Sequence, residues 1–199
     1  LADKGDGFYA YVDTLKEAER VFVHQLTGTM QVIAKDAKVQ VDFNPSVVSR
    51  YRLIGYENRD VADEDFRDDT VDGGEIGAGH SVTALYEVKF QPEAAEGQAA
   101  MTVYVRYLHP ETEEAIEVSR TIGRQDFAAS FDAAPASLQW AAVVAEYAEI
   151  LRNSYWAKES SLADVLSEAR RVGEYLPGDE DVDEFIDLVT WANAIAETS

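Results

Sequence analysis

The first two thirds of the chain alternate apolar and polar residues, which is the pattern of half-buried β-strands. Val39, Val41 and Phe43 alternate with lysine, glutamine and aspartate, and Asn44-Pro45 then ends the segment. The same period predicts strands over four further segments, 49–57, 81–90, 100–108 and 115–122. Short strands separated by proline and glycine turns, with no helix between them, favour an antiparallel sheet or sandwich.

From Pro135 onward the apolar spacing changes to three and four residues, which predicts helices. The first helix follows Pro135, the second opens at the capping box Ser161–Asp164 and runs to about Tyr175, and the third opens at Asp181. The first helix should bury one stripe: Leu138, Ala141, Ala142, Ala145, Ala148 and Leu151. The third should bury Phe185, Leu188, Val189, Ala192 and Ile195. The expected fold is α+β, with about five or more strands followed by about three C-terminal helices.

The N-terminal residues predict a different local structure. Phe8–Val12 is typical of a short aromatic strand, and it leads into an amphipathic helix from Asp13 to about Leu26. A strand that feeds a helix suits the last unit of an α/β domain. The expected domains are therefore a strand-helix remnant over 1–28, an antiparallel β domain over 29–126 and a helical segment over 127–199 packed on the β domain.

The charge of the chain restricts its partners. Its 38 acidic and 17 basic residues give a formal charge of −21, which repels nucleic-acid phosphates and anionic lipid. Such a surface serves solubility, or it meets a cation or a basic partner. The sequence has no cysteine and no apolar run long enough to span a bilayer. Because it begins at Leu1, we expect a piece of a longer protein whose targeting signal lies upstream.

One segment, from Asp60 to Glu75, is dense in carboxylates. Hard cations such as calcium take several oxygen ligands from flexible loops, so the segment is a candidate calcium site. Its candidate ligands are Asp63, Asp65, Asp68, Asp69, Asp72 and Glu75. The order of an EF-hand loop is not met, because Arg67 stands where a third acid is needed. The other interpretation is a solvated acidic loop.

We predict no catalytic residue and no resident cofactor. The glycines of Gly74–His80 follow an acidic loop and precede a strand, whereas phosphate binding needs a strand before them and a helix after them. His24, His80 and His109 are each isolated from the serine or acidic residues that would make a triad or a zinc site. Structural roles are the simpler interpretation of all three.

Arginine and tryptophan allow two interpretations each. Several arginines lie on the strand segments or beside them and are expected to pair with carboxylates across strands, or to form an anion-binding stripe: Arg50, Arg52, Arg59, Arg106, Arg120 and Arg124. Trp140, Trp156 and Trp191 all lie in the helical part and are expected to anchor its core. An exposed tryptophan would instead indicate a contact surface.

Four segments carry a family resemblance. Residues 33–45, Tyr51–Arg59, Ala62–Phe66 and Gly74–Glu87 resemble the C-terminal region of the bacterial YfbK-like von Willebrand factor type A domain proteins. The resemblance extends over residues 8 to 195. It implies that Phe8–Leu26 closes a type A domain and that the rest is the family's own C-terminal domain.

The resemblance also carries functional expectations. Type A domains hold magnesium through an Asp-x-Ser-x-Ser motif, which this sequence lacks, so magnesium is expected only in the missing part of that domain. The resemblance implies a cell-envelope protein. We expect a non-enzymatic interaction or structural module with a protein partner and its own type A domain. The alternatives are a calcium-dependent stability switch through residues 60–75 and a hydrolase.

Overall fold

A computed structural model describes residues 11–25, 31–55, 62–94 and 97–198. The chain forms two compact units. Unit 1 comprises residues 1–48, 59–82 and 90–124, and unit 2 comprises residues 49–58, 83–89 and 125–199. The predicted boundary at 126/127 lies close to the break after Arg124, whereas residues 49–58 and 83–89 group with the helices instead of with the β domain.

The described residues contain six strands: β1 (Val32–Phe43), β2 (Val48–Ile54), β3 (Gly74–Gly77), β4 (Leu85–Phe90), β5 (Ala99–Leu108) and β6 (Ala115–Gly123). Four of these strands form an antiparallel sheet in unit 1, in the order β3-β1-β5-β6. In unit 2, β2 pairs with β4, and contacts from Ser49 to Lys89 and from Arg52 to Glu87 show that the two run antiparallel. Antiparallel sheets followed by C-terminal helices confirm the predicted α+β fold.

Part of the polar face of the unit 1 sheet is deeply covered. Lys38 on β1 is only 5% exposed, whereas its neighbour Val39 is 54% exposed. The cause is the segment 62–73, whose Phe66 is 2% exposed and meets Tyr104 of β5 edge to face at 6.4 Å. The alternating pattern predicted the strand correctly, but the burial of Val39 that it implied was wrong.

Strand β3 was not predicted, because its four residues include two glycines and lack an alternating pattern. It pairs with β1 through two register shifts, and the second, between Ala34 and Ala37, contains Asp36, which has a positive φ of 49°. Asp36 Oδ1 accepts a hydrogen bond from Gly73 N at 3.1 Å. A Cβ atom on Gly73 would lie 2.6 Å from the Asp36 carbonyl carbon, so this close approach requires glycine.

The helices of unit 2 agree closely with the predicted segments. They are α2 (Ala136–Leu151), α3 (Leu162–Gly173) and α4 (Glu180–Glu197), where α1 denotes the short N-terminal helix Leu15–Glu19. The predicted capping box is confirmed, because Ser161 Oγ accepts from Asp164 N at 3.1 Å and donates to Asp164 Oδ2 at 2.6 Å. Among the helices described, none is long and apolar enough to cross a bilayer.

The core of unit 2 is built from large side chains of all three helices, and its buried members are Val143, Tyr147, Val165, Leu166, Ala169 and Val189. Phe185 meets Trp140 and Tyr147 edge to face, at 5.3 and 5.4 Å between ring centroids. The predicted stripe on α2 was wrong, since Leu138 and Leu151 are exposed. Aromatic and valine side chains bury more apolar area than that alanine-rich stripe, so they occupy the core.

At the N-terminus, α1 is capped by Thr14 and continues as a π-helix over Arg20–Gln25. The predicted helix is thus present in the described residues, but Leu15 and Phe22 on its apolar stripe are exposed and Val21 is buried. Tyr11 and Val12 are not in a strand. The remaining part of the predicted strand, Phe8–Ala10, lies outside the described residues.

Candidate functional site

The acidic segment of unit 1 is held by basic and polar side chains of the sheet beneath it. Lys38 Nζ donates to the backbone oxygen of Asp68 at 2.6 Å, and Arg106 Nη2 contacts Asp69 Oδ1 at 2.8 Å. Gln40 donates to Asp63 Oδ1 at 2.9 Å. The backbone and hydroxyl of the following threonine, Thr70, donate to Asp68 and lower the pKa of its carboxyl. Lys38 and Arg106 therefore supply positive charge to part of this segment.

This arrangement gives the candidate calcium ligands separate partners. The Asp63 carboxylate accepts from Gln40, that of Asp68 accepts from Thr70, and that of Asp69 pairs with Arg106. Asp72 and Glu75 are exposed. Within residues 62–75 and the other described ranges, no three acidic or histidine side chains form a group suited to a metal ion. The structure does not bring the six predicted ligands together.

A bidentate ion pair also holds the acidic segment against the sheet. Arg67 contacts Glu117 of β6 through Nε at 3.0 Å and Nη2 at 2.8 Å. The hydrogen bonds raise the pKa of Arg67 and lower that of Glu117. The guanidinium also lies over the rings of Phe66 and Tyr104, so this charged pair and the aromatic contact form one cluster.

The histidines are placed apart. His80 is exposed. His109 Nδ1 accepts from the backbone N–H groups of Glu111 and Thr112, both at 3.3 Å, and thereby shapes the turn between β5 and β6. The side chain of His24 lies outside the described part of the structure.

Unit 2 contains a buried ion network centred on Glu149, near the C-terminus of α2. The residue is 3% exposed. Its carboxylate contacts Arg152 Nε at 2.7 Å and Arg52 Nη1 at 3.2 Å, and it accepts from Ser154 Oγ at 2.7 Å. These contacts join α2 to β2 within the unit. The predicted pairing across strands is confirmed here, since Arg52 also contacts Glu87 of β4 at 2.9 Å.

Two opposing effects act on the protonation of Glu149. Burial raises the pKa of this carboxyl, whereas hydrogen bonds from Ser154, Arg152 and Arg52 lower it more in sum, and the resulting pKa lies below its ordinary value. The folded protein therefore holds Glu149 as a carboxylate. A charged group at this depth is retained only with such partners.

The ion network supports an exposed aromatic pair, Tyr155 and Trp156, which are 69% and 57% exposed. Arg52 lies 4.7 Å from the centroid of the Trp156 ring, and Trp156 N donates to Ser154 Oγ at 3.3 Å. The two rings meet edge to face at 5.3 Å. Lys158 covers Tyr155 at 4.4 Å. Arg52 and Ser154 thus contact both the buried carboxylate and the exposed aromatic residue.

This arrangement has the properties of a protein contact site. Tryptophan, tyrosine and arginine are the residue types most enriched at binding hot spots. Side chains that are already fixed lose little conformational freedom on association. The prediction that the tryptophans anchor the core was correct for Trp140 and wrong for Trp156 and Trp191, which are exposed. No sequence signal identified Glu149, because its burial depends on three partners from separate positions in the chain.

A second apolar surface lies on α4. Leu188, Trp191 and Ile195 are exposed at helical spacing, which contradicts the prediction that Leu188 and Ile195 face inward. Val182 and Val189 are the residues that α4 buries. Among the described residues, no arginine stacks on Trp191 as Arg52 does on Trp156, so Tyr155 and Trp156 form the better-defined site.

Comparison with known proteins identifies a family. The family described as "Uncharacterized protein YfbK, C-terminal" matches residues 28–195. The Escherichia coli (strain K12) protein named "Uncharacterized protein YfbK" is 32% identical over 217 residues, and the match covers 100% of this chain and 36% of that relative. The chain thus spans about a third of the relative's length. No solved structure matches the chain significantly.

Proposed function

The chain belongs to the YfbK C-terminal family, and we propose that it is a non-enzymatic protein-interaction module whose contact surface is centred on Tyr155 and Trp156. The observation that carries the proposal is an exposed aromatic pair in which Arg52 and Ser154 hold Trp156 in place. Adjacent exposed apolar side chains mark protein interaction sites more often than single scattered ones do. The fixed arrangement of Tyr155 and Trp156 favours a role in binding a partner over a surface that only keeps the protein soluble.

We further propose that the module accompanies a type A domain in a bacterial envelope protein. The support is the resemblance of residues 51–59 and 74–87 to YfbK-like type A domain proteins. The E. coli relative is much longer than the matched region, since this chain covers 36% of it. The type A domain of the same protein and a separate protein are both candidate partners for the aromatic pair.

Site-specific photo-crosslinking in the host cell tests the proposal. Benzoylphenylalanine replaces Trp156 in the intact protein, and the matched control carries it at Tyr175, an exposed aromatic residue of the same unit. We expect a discrete protein adduct at position 156 with a yield several-fold above that at position 175. Mass spectrometry then identifies the partner, or the type A domain in an intramolecular adduct.

Competition distinguishes a specific adduct from random collisions. When the crosslinking is repeated in an extract of these cells, an excess of the purified chain should suppress an intermolecular adduct, whereas an excess of the Trp156→Ala chain should not. Equal yields at positions 156 and 175, or suppression by both competitors, would contradict the assignment of the contact surface to Tyr155 and Trp156.

A further inference from the structure

A cleft of about 380 Å³ opens between α2 and α3 in unit 2. Its apolar lining comes from Phe131, Val143 and Val165. Ser160, whose hydroxyl donates to Glu146, also lines it. The volume lies at the lower end of the range for ligand pockets, roughly 300–1,000 Å³, so the cleft suits a side chain or another small group.

Carboxylates surround this apolar lining. Glu146, Glu159, Asp164 and Glu168 all line the cleft. Glu168 pairs with Arg171 at 2.6 Å, whereas the other three make no ion pair with any residue that the structure describes. The acidic segment of unit 1 differs, since Lys38 and Arg106 contact it there. The cleft therefore carries an excess of negative charge beside an apolar surface.

The cleft and the aromatic pair belong to one stretch of chain. Tyr155 and Trp156 begin a short 3-10 turn that ends at Ala157, and Glu159 and Ser160 of the cleft follow after Lys158. Glu146 accepts from Ser160, which ties this stretch to α2. A bound segment that contacts the aromatic pair can therefore continue toward the carboxylates.

We propose that the partner is a basic protein segment, in which an arginine or lysine side chain enters this cleft while neighbouring apolar side chains pack on Tyr155 and Trp156. The apolar lining receives the aliphatic stem of such a side chain, and the carboxylates pair with its charged end. The inference deepens the proposed function and rests on it. A second copy of the chain does not suit the surface, because two molecules of charge −21 repel each other.

NMR titration of the uniformly ¹⁵N-labelled chain tests the inference with two synthetic peptides. One is acetyl-Leu-Arg-Leu-Arg-Leu-amide, and the other has citrulline, the uncharged isostere, in place of each arginine. We expect the arginine peptide to shift the amide signals of residues 155–165 and to bind about tenfold more tightly than the citrulline peptide. Added salt should weaken the binding of the arginine peptide and leave the binding of the citrulline peptide unchanged.

Charge variants separate the cleft from the general acidity of the chain. Glu146→Gln with Glu159→Gln removes two carboxylates from the cleft, and the amide oxygen that replaces the carboxylate at position 146 can still accept from Ser160. Glu111→Gln with Glu114→Gln removes the same charge from an exposed turn in unit 1. The double variant in the cleft should bind the arginine and citrulline peptides equally. The double variant in the turn should bind the arginine peptide with an affinity within twofold of the wild type. Equal effects of the two pairs would overturn the assignment to the cleft.

The same titrations distinguish an error in the contact surface at Tyr155 and Trp156 from an error in the basic nature of the partner. Trp156→Ala should weaken both peptides alike, because both keep their leucines. If arginine and citrulline peptides bind equally but depend on Trp156, the basic partner is excluded and the contact surface stands. If neither peptide depends on Trp156, the contact surface is wrong as well. Dimerisation that increases with protein concentration and is lost in Trp156→Ala would identify a second copy as the occupant and overturn the proposal.

Discussion

At the scale of single residues, Glu149 determines much of the local structure of unit 2. Three donors surround one buried carboxylate, and two of them, Arg52 and Ser154, also position Trp156. The sequence predicted that arginines pair with acids across strands, which holds for Arg52 and Glu87. It did not predict Glu149, because the site needs residues from β2, α2 and the turn after α2 to meet in space.

Replacing Glu149 by glutamine should destabilise unit 2 by about 3 kcal/mol, because the hydrogen bonds from Arg52, Arg152 and Ser154 would lose the buried charge that accepts them. The matched control is Glu87→Gln, which removes the exposed partner of Arg52 and should change stability by less than about 1 kcal/mol. Urea unfolding followed by tryptophan fluorescence measures both, since all three tryptophans lie in unit 2. Equal losses in the two variants would contradict the central role of Glu149.

The pH dependence of this effect has a defined sign. Because the pKa of Glu149 lies below its ordinary value of 4.5 in the folded protein, its stabilisation is complete well above that value and is lost as the pH falls through the folded-state pKa. The difference in unfolding free energy between the wild type and Glu149→Gln should be largest near pH 7 and should decrease below pH 4.5. A difference that grows on acidification would contradict the direction of the pKa shift.

At the scale of elements, hydrophobic periodicity predicted strands and helices well and predicted the covered faces less well. The segments containing β1, β5, β6 and the three C-terminal helices were identified because each keeps one period over many residues. Periodicity could not show that the segment 62–73 covers the polar face of the sheet. That result depends on Phe66, Arg67 and Lys38, which contact distant partners.

Phe66→Ala should destabilise unit 1 by about 3 kcal/mol, because it leaves a cavity beside Tyr104 where a buried aromatic ring now packs. Phe22→Ala is the control in the same unit, since Phe22 is exposed and its loss should change stability by less than about 0.5 kcal/mol. Hydrogen exchange of the β1 and β5 amides reports on this sheet directly. If the amides of β1 and β5 exchange equally faster in Phe66→Ala and in Phe22→Ala, the packing of residues 62–73 on the sheet does not depend on Phe66.

Calcium provides a second test of the segment 62–75. Because Arg106 already contacts the Asp69 carboxylate and Lys38 contacts the backbone of the segment, we expect the same melting temperature in chelator and in millimolar calcium. A ligand that binds only the folded state at 100 times its Kd would add about 2.7 kcal/mol of stability. A clear calcium-dependent rise, lost on Asp69→Asn, would instead support the calcium-dependent stability switch.

At the scale of the whole molecule, the distribution of charge matters more than its sum. The negative charge of the carboxylates is partly balanced where Arg52, Arg67, Arg106 and Arg152 contact them, and a formal charge of −21 remains after all basic residues are counted. It is less balanced at the cleft of unit 2, where three carboxylates lack a basic partner among the described residues. Composition predicted a basic partner as one option. It could not say where such a partner would bind, because that depends on which carboxylates the fold leaves without a cation.

The most direct test of the contact surface is the affinity of the partner captured at position 156, measured by isothermal titration calorimetry with the wild type, Trp156→Ala and Trp191→Ala. Both variants remove an exposed tryptophan from unit 2. We predict that Trp156→Ala weakens binding at least about 30-fold, as loss of a hot-spot residue does, and that Trp191→Ala changes it less than about threefold. Wild-type affinity in a folded Trp156→Ala chain would contradict the assignment of the contact surface to Tyr155 and Trp156.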